Sequence, residues 1–246
     1  MRYYIIAGEA SGDLHGSNLM KSLKEVDSAA EFRIWGGDLM VSAGGDLVRH
    51  YNETAVMGVV EVLSKLNKIS DNIKLCKSDL LSYNPDVLIL IDYAGFNLRI
   101  AKFAKQSGIK VFYYIAPKVW AWNEGRVRKI KESVDRLFII FPFEVDFFKK
   151  HGINAIYNGN PLLDSIASHS SLSESREDFL KRNNLEDKPI IALLAGSRKN
   201  EISYLLPKLP YLENEFPDHQ FILAGAPSIE RSYYEPFISN SKIILL

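Results

Sequence analysis

Two short stretches of this chain have residue types and spacing suited to chemistry. The first, Ala7-Gly8-Glu9-Ala10-Ser11-Gly12-Asp13-Leu14-His15-Gly16, follows directly on the apolar run Tyr3-Tyr4-Ile5-Ile6 and carries a glycine at every fourth position. It reads as a strand-to-helix turn, where backbone can approach a ligand and the next helix opens with its free N–H groups facing outward. Small polar residues and the carboxylates of Glu9 and Asp13 suit recognition of hydroxyls as well as anions, and Asp13 as a helix N-cap is the simpler reading. The second stretch, Leu193-Leu194-Ala195-Gly196-Ser197-Arg198-Lys199-Asn200-Glu201-Ile202, repeats the arrangement with an arginine added. Two such turns imply two α/β units serving one pair of ligands.

The elements that must hold these turns are legible as apolar runs alternating with helical segments. Strands are predicted over 3–7, 32–35, 87–91, 111–115, 137–140 and 155–157. Helices are predicted over 72–81, 97–106 and 142–150, each ending at a stop signal (Asn84-Pro85, Gly108, Gly152). This alternation is the pattern of βαβ units and a parallel sheet. A first domain is therefore expected over 1–165, a polar connector over 166–188 with a charged helix at 174–182, and the start of a second α/β domain over 189–246. That second unit is read as a strand (190–194), one helix (199–216), a strand (220–224), a helix near 229–239 and the apolar run Ile243–Leu246. A domain of this kind usually needs about five or six strands, so the expectation is that it continues past Leu246. Its open edge would favour self-association, and a homodimer is among the expected states.

A chain of 246 residues can bury a sizeable core. Thirty basic and thirty acidic residues leave no global field to draw in nucleic acid, so any anion site must be local. The single cysteine, Cys76, points to a reducing compartment. No secretory leader pattern or spanning apolar run is expected in the sequence. Asp-x-Asp, the P-loop, G-x-G-x-x-G, His-Glu-x-x-His and Cys-x-x-Cys are all absent, which turns the reading away from metal and dinucleotide chemistry. Gly8-Glu9-Ala10-Ser11-Gly12 approaches a nucleophile elbow, but its serine falls one place late.

Six motifs occur in order: Ala7-Gly8-Glu9-Ala10-Ser11-Gly12-Asp13, Met57-Gly58-Val59-Val60-Glu61-Val62-Leu63, Ile91-Asp92-Tyr93-Ala94-Gly95-Phe96-Asn97, Pro117-Lys118-Val119-Trp120-Ala121-Trp122, Pro142-Phe143-Glu144 and Gly196-Ser197-Arg198. Together they resemble the lipid-A-disaccharide synthase family from residue 1 to about 202. The resemblance implies an α/β fold of GT-B type, with two Rossmann-like parallel-sheet domains, the second incomplete in this chain. It also implies inverting transfer from UDP-2,3-diacylglucosamine to 2,3-diacylglucosamine 1-phosphate, giving a β(1→6) disaccharide 1-phosphate and UDP, with no metal and no other cofactor. The family's Ser-Gly-Thr-containing donor segment would lie beyond Leu246, so this chain alone is expected to be inactive. Asn160 stands where many members carry histidine, Ala195 replaces a common proline, and Ala116 and Lys118 replace serines, departures that bear on substrate preference.

Inverting transfer needs a base for the acceptor hydroxyl on a rigid support. Asp92, after the apolar strand 87–91 at the end where open α/β sheets place ligands, fits that role, and capping of the next turn is its structural alternative. Glu9, Ser11, Gly12 and Asp13 at the same rim either contact sugar hydroxyls or order the loop, and Asn97 and Asn160 join them on the acceptor side. Gly196, Ser197 and Arg198 would meet the charge of departing UDP, with Glu201 orienting Arg198 or complementing the helix dipole. Trp120 and Trp122, alternating on an extended segment, would point to opposite faces, one into the core and one into the cleft. Arg126, followed by Arg128 and Lys129, would face the acceptor phosphate or form a solvated basic helix, and Glu144 would serve catalysis or a helix start. Val59, Val62, Leu63 and Leu66, with lysines nearby, form a stripe that reads as core or as a surface dipping into inner-membrane lipids. The expected location is cytoplasmic, peripheral on the inner face of the inner membrane. Two other classes stay open: a metal-independent enzyme acting on UDP-N-acetylglucosamine, such as a 2-epimerase or a soluble-acceptor transferase, and a module that binds a nucleotide sugar without turnover.

Overall fold

The computed structural model describes residues 1–54, 62–167 and 169–246, apart from the side chains of 54, 62–67, 122 and 170. The chain divides into two compact units, Met1–Ser168 and His169–Leu246.

The first unit is a seven-stranded parallel sheet in the order β3-β2-β1-β4-β5-β6-β7. Its elements run β1 (Arg2–Ala7), α1 (Ala10–Val26), β2 (Glu31–Gly36), α2 (Asp38–Ser42), β3 (Asp46–His50), α3 (Tyr51–Thr54), α4 (Val62–Tyr83), β4 (Val87–Ile91), α5 (Ala94–Gln106), β5 (Lys110–Tyr114), α6 (Val119–Trp122), α7 (Val127–Ser133), β6 (Arg136–Ile139), α8 (Phe143–Lys150), β7 (Ala155–Tyr157) and α9 (Pro161–Ala167). Alternate strand residues feed opposite faces, as the two-residue period demands. Tyr4, Ile6, Leu88, Leu90, Val111 and Tyr113 enter one core cluster, and Tyr3, Ile5, Ala7, Val87, Ile89 and Ile91 enter the other. All of β4 is buried because both of its faces are covered, which is why it reads as an unbroken apolar run.

The second unit holds β8 (Ile190–Leu193), β9 (Gln220–Leu223) and β10 (Ile244–Leu245) in a parallel three-stranded sheet ordered β10-β9-β8, with α10 (Arg176–Arg182), α11 (Lys199–Leu205), α12 (Leu212–Glu215) and α13 (Arg231–Ile238). Leu193, Ile202, Leu206, Phe221, Leu223, Tyr234 and Leu245 form its core.

Three sequence expectations change. The single helix over 199–216 is broken into α11, a 3-10 turn at Leu206–Lys208 and α12, because Pro207 and Pro210 remove backbone donors and clash with the preceding turn. Strand β3 went unseen because Asp46, Arg49 and His50 break up its apolar pair Leu47-Val48, and none of its residues is fully buried. Trp120 and Trp122 lie in a helical turn, so the two-residue alternation expected of an extended segment does not apply to them.

Candidate active site

In the first unit the strand order reverses on either side of β1: β2 and β3 lie to one side, β4 to β7 to the other. Open α/β sheets bind ligands at the carboxyl ends of the strands flanking such a point. Ala7 pairs with Ile91, so the turn that starts at Gly8 and the turn that starts at Asp92 leave the sheet side by side. They touch, and a Cβ added to Gly8 would overlap the Tyr93 ring, so that ring lies where only glycine leaves room.

Asp92 is exposed at this edge, and both it and Tyr93 adopt left-handed backbone, with φ of 41° and 48°. Ile115, at the end of β5, does so too at φ 63°, uncommon for a β-branched residue. The Asp92 N–H donates to the Ile115 carbonyl at 3.2 Å. The Asn97 amide donates to the carbonyls of Asp92 (2.9 Å) and Ile91 (3.2 Å), and the Tyr113 hydroxyl donates to the same Asp92 carbonyl. Tyr113 is fully buried, and burial pushes its phenol well above the usual range; the Asp92 charge adds to this, while Asn97 and Arg126 oppose it.

The other acceptor-side candidates take more structural places. Glu9 is the exposed residue before α1 and Ser11 is exposed in its first turn, while Gly12 packs on Ala7. Asp13 is not the N-cap, because α1 already begins at Ala10. It is 3% exposed and accepts from the N–H groups of Gly37 (2.7 Å), Leu39 (3.1 Å) and Met40 (3.1 Å), capping α2 from the side and tying the turn after β2 to the turn after β1. Its geometry is that of a loop-ordering group. Glu144 is likewise buried, accepting from the Trp120 indole (3.0 Å) and from the N–H groups of Ile140 (3.2 Å) and Phe141 (3.1 Å). It fastens the segment after β5 to the end of β6, and the partly exposed Trp120 ring meets Phe143 edge-on at 4.9 Å. Asn160 caps α9, accepting from Leu162 at 3.0 Å, and Ser165 of that helix receives a hydrogen bond from Asn18 of α1 at 3.0 Å. The Trp122 side chain lies outside the described residues, as do Val59 and the side chains of Val62, Leu63 and Leu66. Among the described residues no helix is long and apolar enough to cross a membrane. Nor do any three His, Cys, Asp or Glu residues among them form a group that could hold a metal ion.

In the second unit Gly196 has φ 108°, and a Cβ there would come within 2.6 Å of Glu201. Glu201 folds back over the start of α11, accepting from the N–H groups of Ser197 (2.9 Å) and Arg198 (3.2 Å) and from the Arg198 guanidinium (3.2 Å). The Ser197 N–H foremost, then Arg198, hold its carboxyl below the usual carboxylate range. One carboxylate therefore does both jobs suggested for it, orienting Arg198 and complementing the helix dipole.

The lipid-A-disaccharide synthetase family profile matches residues 3–241. The chain belongs to that family. Lipid-A-disaccharide synthase of Geobacter metallireducens is 42% identical over 245 residues, covering 98% of this chain and 63% of its own length. The corresponding protein of Syntrophotalea carbinolica is 41% identical over 244 residues, covering 97% of the chain and 61% of its own. This lipid-A-disaccharide synthetase family chain thus spans under two thirds of the length of these relatives. A solved structure of UDP-GlcNAc 2-epimerase from Neisseria meningitidis bound to UDP-GlcNAc shares its fold, with a TM-score of 0.71 at 12% identity over 100% of this chain and 72% of that one. The fold is α/β of GT-B type. Sequence reasoning missed Tyr93, Tyr113 and Ile115 in this family member's site, because aromatic and β-branched residues at strand ends read as core.

Proposed function

We propose that this chain supplies the acceptor side, and the first part of the donor side, of an inverting glycosyltransferase. It would join UDP-2,3-diacylglucosamine to 2,3-diacylglucosamine 1-phosphate. Family membership carries the reaction class, and the exposed Asp92 carboxylate at the switch-point edge of β4 supports its mechanism. In this reading Asp92 takes the proton from the acceptor 6-hydroxyl as that oxygen bonds to the donor anomeric carbon. The bond from that carbon to the diphosphate breaks on the opposite face, and UDP leaves with the electron pair. Its charge is met by the Arg198 guanidinium and the Gly196 turn at the start of α11 rather than by a metal. Glu9 and Ser11 face sugar hydroxyls, Trp120 lines the acceptor side, and Arg126 faces the acceptor phosphate.

Arg198→Ala in the intact protein should weaken use of the UDP-sugar by about 2–4 kcal/mol, as expected for loss of a charge-assisted contact to a developing anion. Steady-state kinetics against donor concentration tests this, and an unchanged donor dependence removes Arg198 from the site. The acylated substrates belong to a membrane surface, and Val59, Val62, Leu63 and Leu66 are proposed to meet it, placing the protein at the cytoplasmic face of the inner membrane. Paired replacement Val62→Ser and Leu66→Ser should lower sedimentation with anionic vesicles while the melting temperature stays within about 4 °C of the parent, close to a 1 kcal/mol effect. Loss of folding would show the stripe to be core.

A further inference from the structure

We infer that Tyr113 is a positioning residue for Asp92: its hydroxyl, together with the Asn97 amide, holds the Asp92 main chain in the left-handed turn that presents the carboxylate at the edge of the sheet. The inference rests on the assignment of Asp92 as the base. Four observations carry it. Asp92 and Tyr93 are consecutive non-glycine residues with positive φ, an arrangement that persists only where surroundings over-determine it. The Asp92 carbonyl accepts twice, from Tyr113 on β5 and from Asn97 on α5, while its N–H is held by Ile115. The peptide on either side of the carboxylate is therefore tied to both neighbouring elements. Asn97 gives its N–H groups to the loop carbonyls of Ile91 and Asp92, yet its own Oδ1 is buried with no donor. Buried polar atoms are nearly always paired, so this amide is committed to the corner at the expense of its own satisfaction. Finally, Tyr113 sits in the core of β5 with its phenol held neutral, which keeps it a donor to the Asp92 carbonyl.

Tyr113→Phe removes that donor and keeps the ring. In the intact protein turnover should fall about tenfold or more, with KM for both substrates little changed, because the base is displaced while the binding surfaces remain. The double variant Asp92→Asn with Tyr113→Phe should be no slower than Asp92→Asn alone, since both changes act through one carboxylate. A second readout does not depend on activity: hydrogen exchange at the Asp92 amide should accelerate by about tenfold or more in Tyr113→Phe, and likewise in Asn97→Ala, while Leu88, Ile89 and Leu90 keep their protection. Unchanged exchange at Asp92 in both variants, or losses in turnover that multiply in the double variant, would overturn the clamp. Full turnover in Asp92→Asn alone would instead remove the base assignment, and with it the catalytic purpose of the clamp.

Discussion

Asp92→Asn should lower turnover by about 100-fold or more, with folding intact, because asparagine keeps the size and hydrogen bonding of the side chain and cannot take a proton. The substitution is unusually clean at this position. Residue 92 has φ 41°, and asparagine and aspartate are the non-glycine residues that adopt left-handed backbone most readily. Alanine there would add backbone strain to the chemical loss and blur the two. Turnover near that of the parent, in a variant with unchanged circular dichroism and melting, would take Asp92 out of the mechanism.

The second large effect is on stability. Asp13→Ala should destabilise the first unit by about 3 kcal/mol, because the buried N–H groups of Gly37 and Met40, and the partly buried one of Leu39, lose a charged acceptor that nothing nearby replaces. Gly37 is also packed closely against the Tyr51 ring, which a Cβ there would meet at 2.3 Å. The three tryptophans, Trp35, Trp120 and Trp122, all lie in the first unit, so their emission during urea unfolding follows that unit. A loss below about 1 kcal/mol would mean that water or another group takes over the capping.

Asp13 also shows where reading the sequence succeeds and where it stops. A carboxylate just after a glycine-bearing strand-to-helix turn is legible as a group that organises backbone N–H donors, and it does so. Which donors it organises is not legible, because they belong to the turn after β2, brought in by pairing of β1 with β2. The strands that carry apolar runs were readable, buried β4 and the partly exposed edge strand β7 alike: 87–91 and 155–157 fall where expected, and the other predicted strands within a residue or so at either end. Strand β3 was not, because Asp46, Arg49 and His50 leave it only the pair Leu47-Val48, short of the apolar run that marks the other strands. Helix α11 was overrun because the periodicity of its apolar residues continues past Pro207 while its hydrogen bonding does not. Among the candidate groups of the two units, Asp92 and Arg198 are chosen on residue type and place. Their supports are not: Tyr113 is brought to the Asp92 carbonyl only by the register of β4 on β5, and Glu201 reaches the Ser197 amide only because Gly196 turns left-handed. Candidate groups announce themselves by chemistry, whereas their holders are specified by long-range pairing.

The place of β1 between β2 and β4 also bears on the order in which the first unit can form. Tyr4 bonds Trp35 across 31 residues of chain, but Arg2 reaches Asp86 only across 84. Pairing of β1 with β2 closes the shorter loop, and the β4 side must wait for the longer one, whose entropic cost is higher and whose search is slower. The corner where Gly8 meets Tyr93 belongs to that later closure. A ribosome-bound chain that has emerged only through β3 can already cap α2 with Asp13, yet it lacks the β4 strand that carries the Asp92 corner. The Asp92 corner thus forms after the pairing of β1 with β2, and in refolding its recovery should trail that of the β1–β2 side of the sheet.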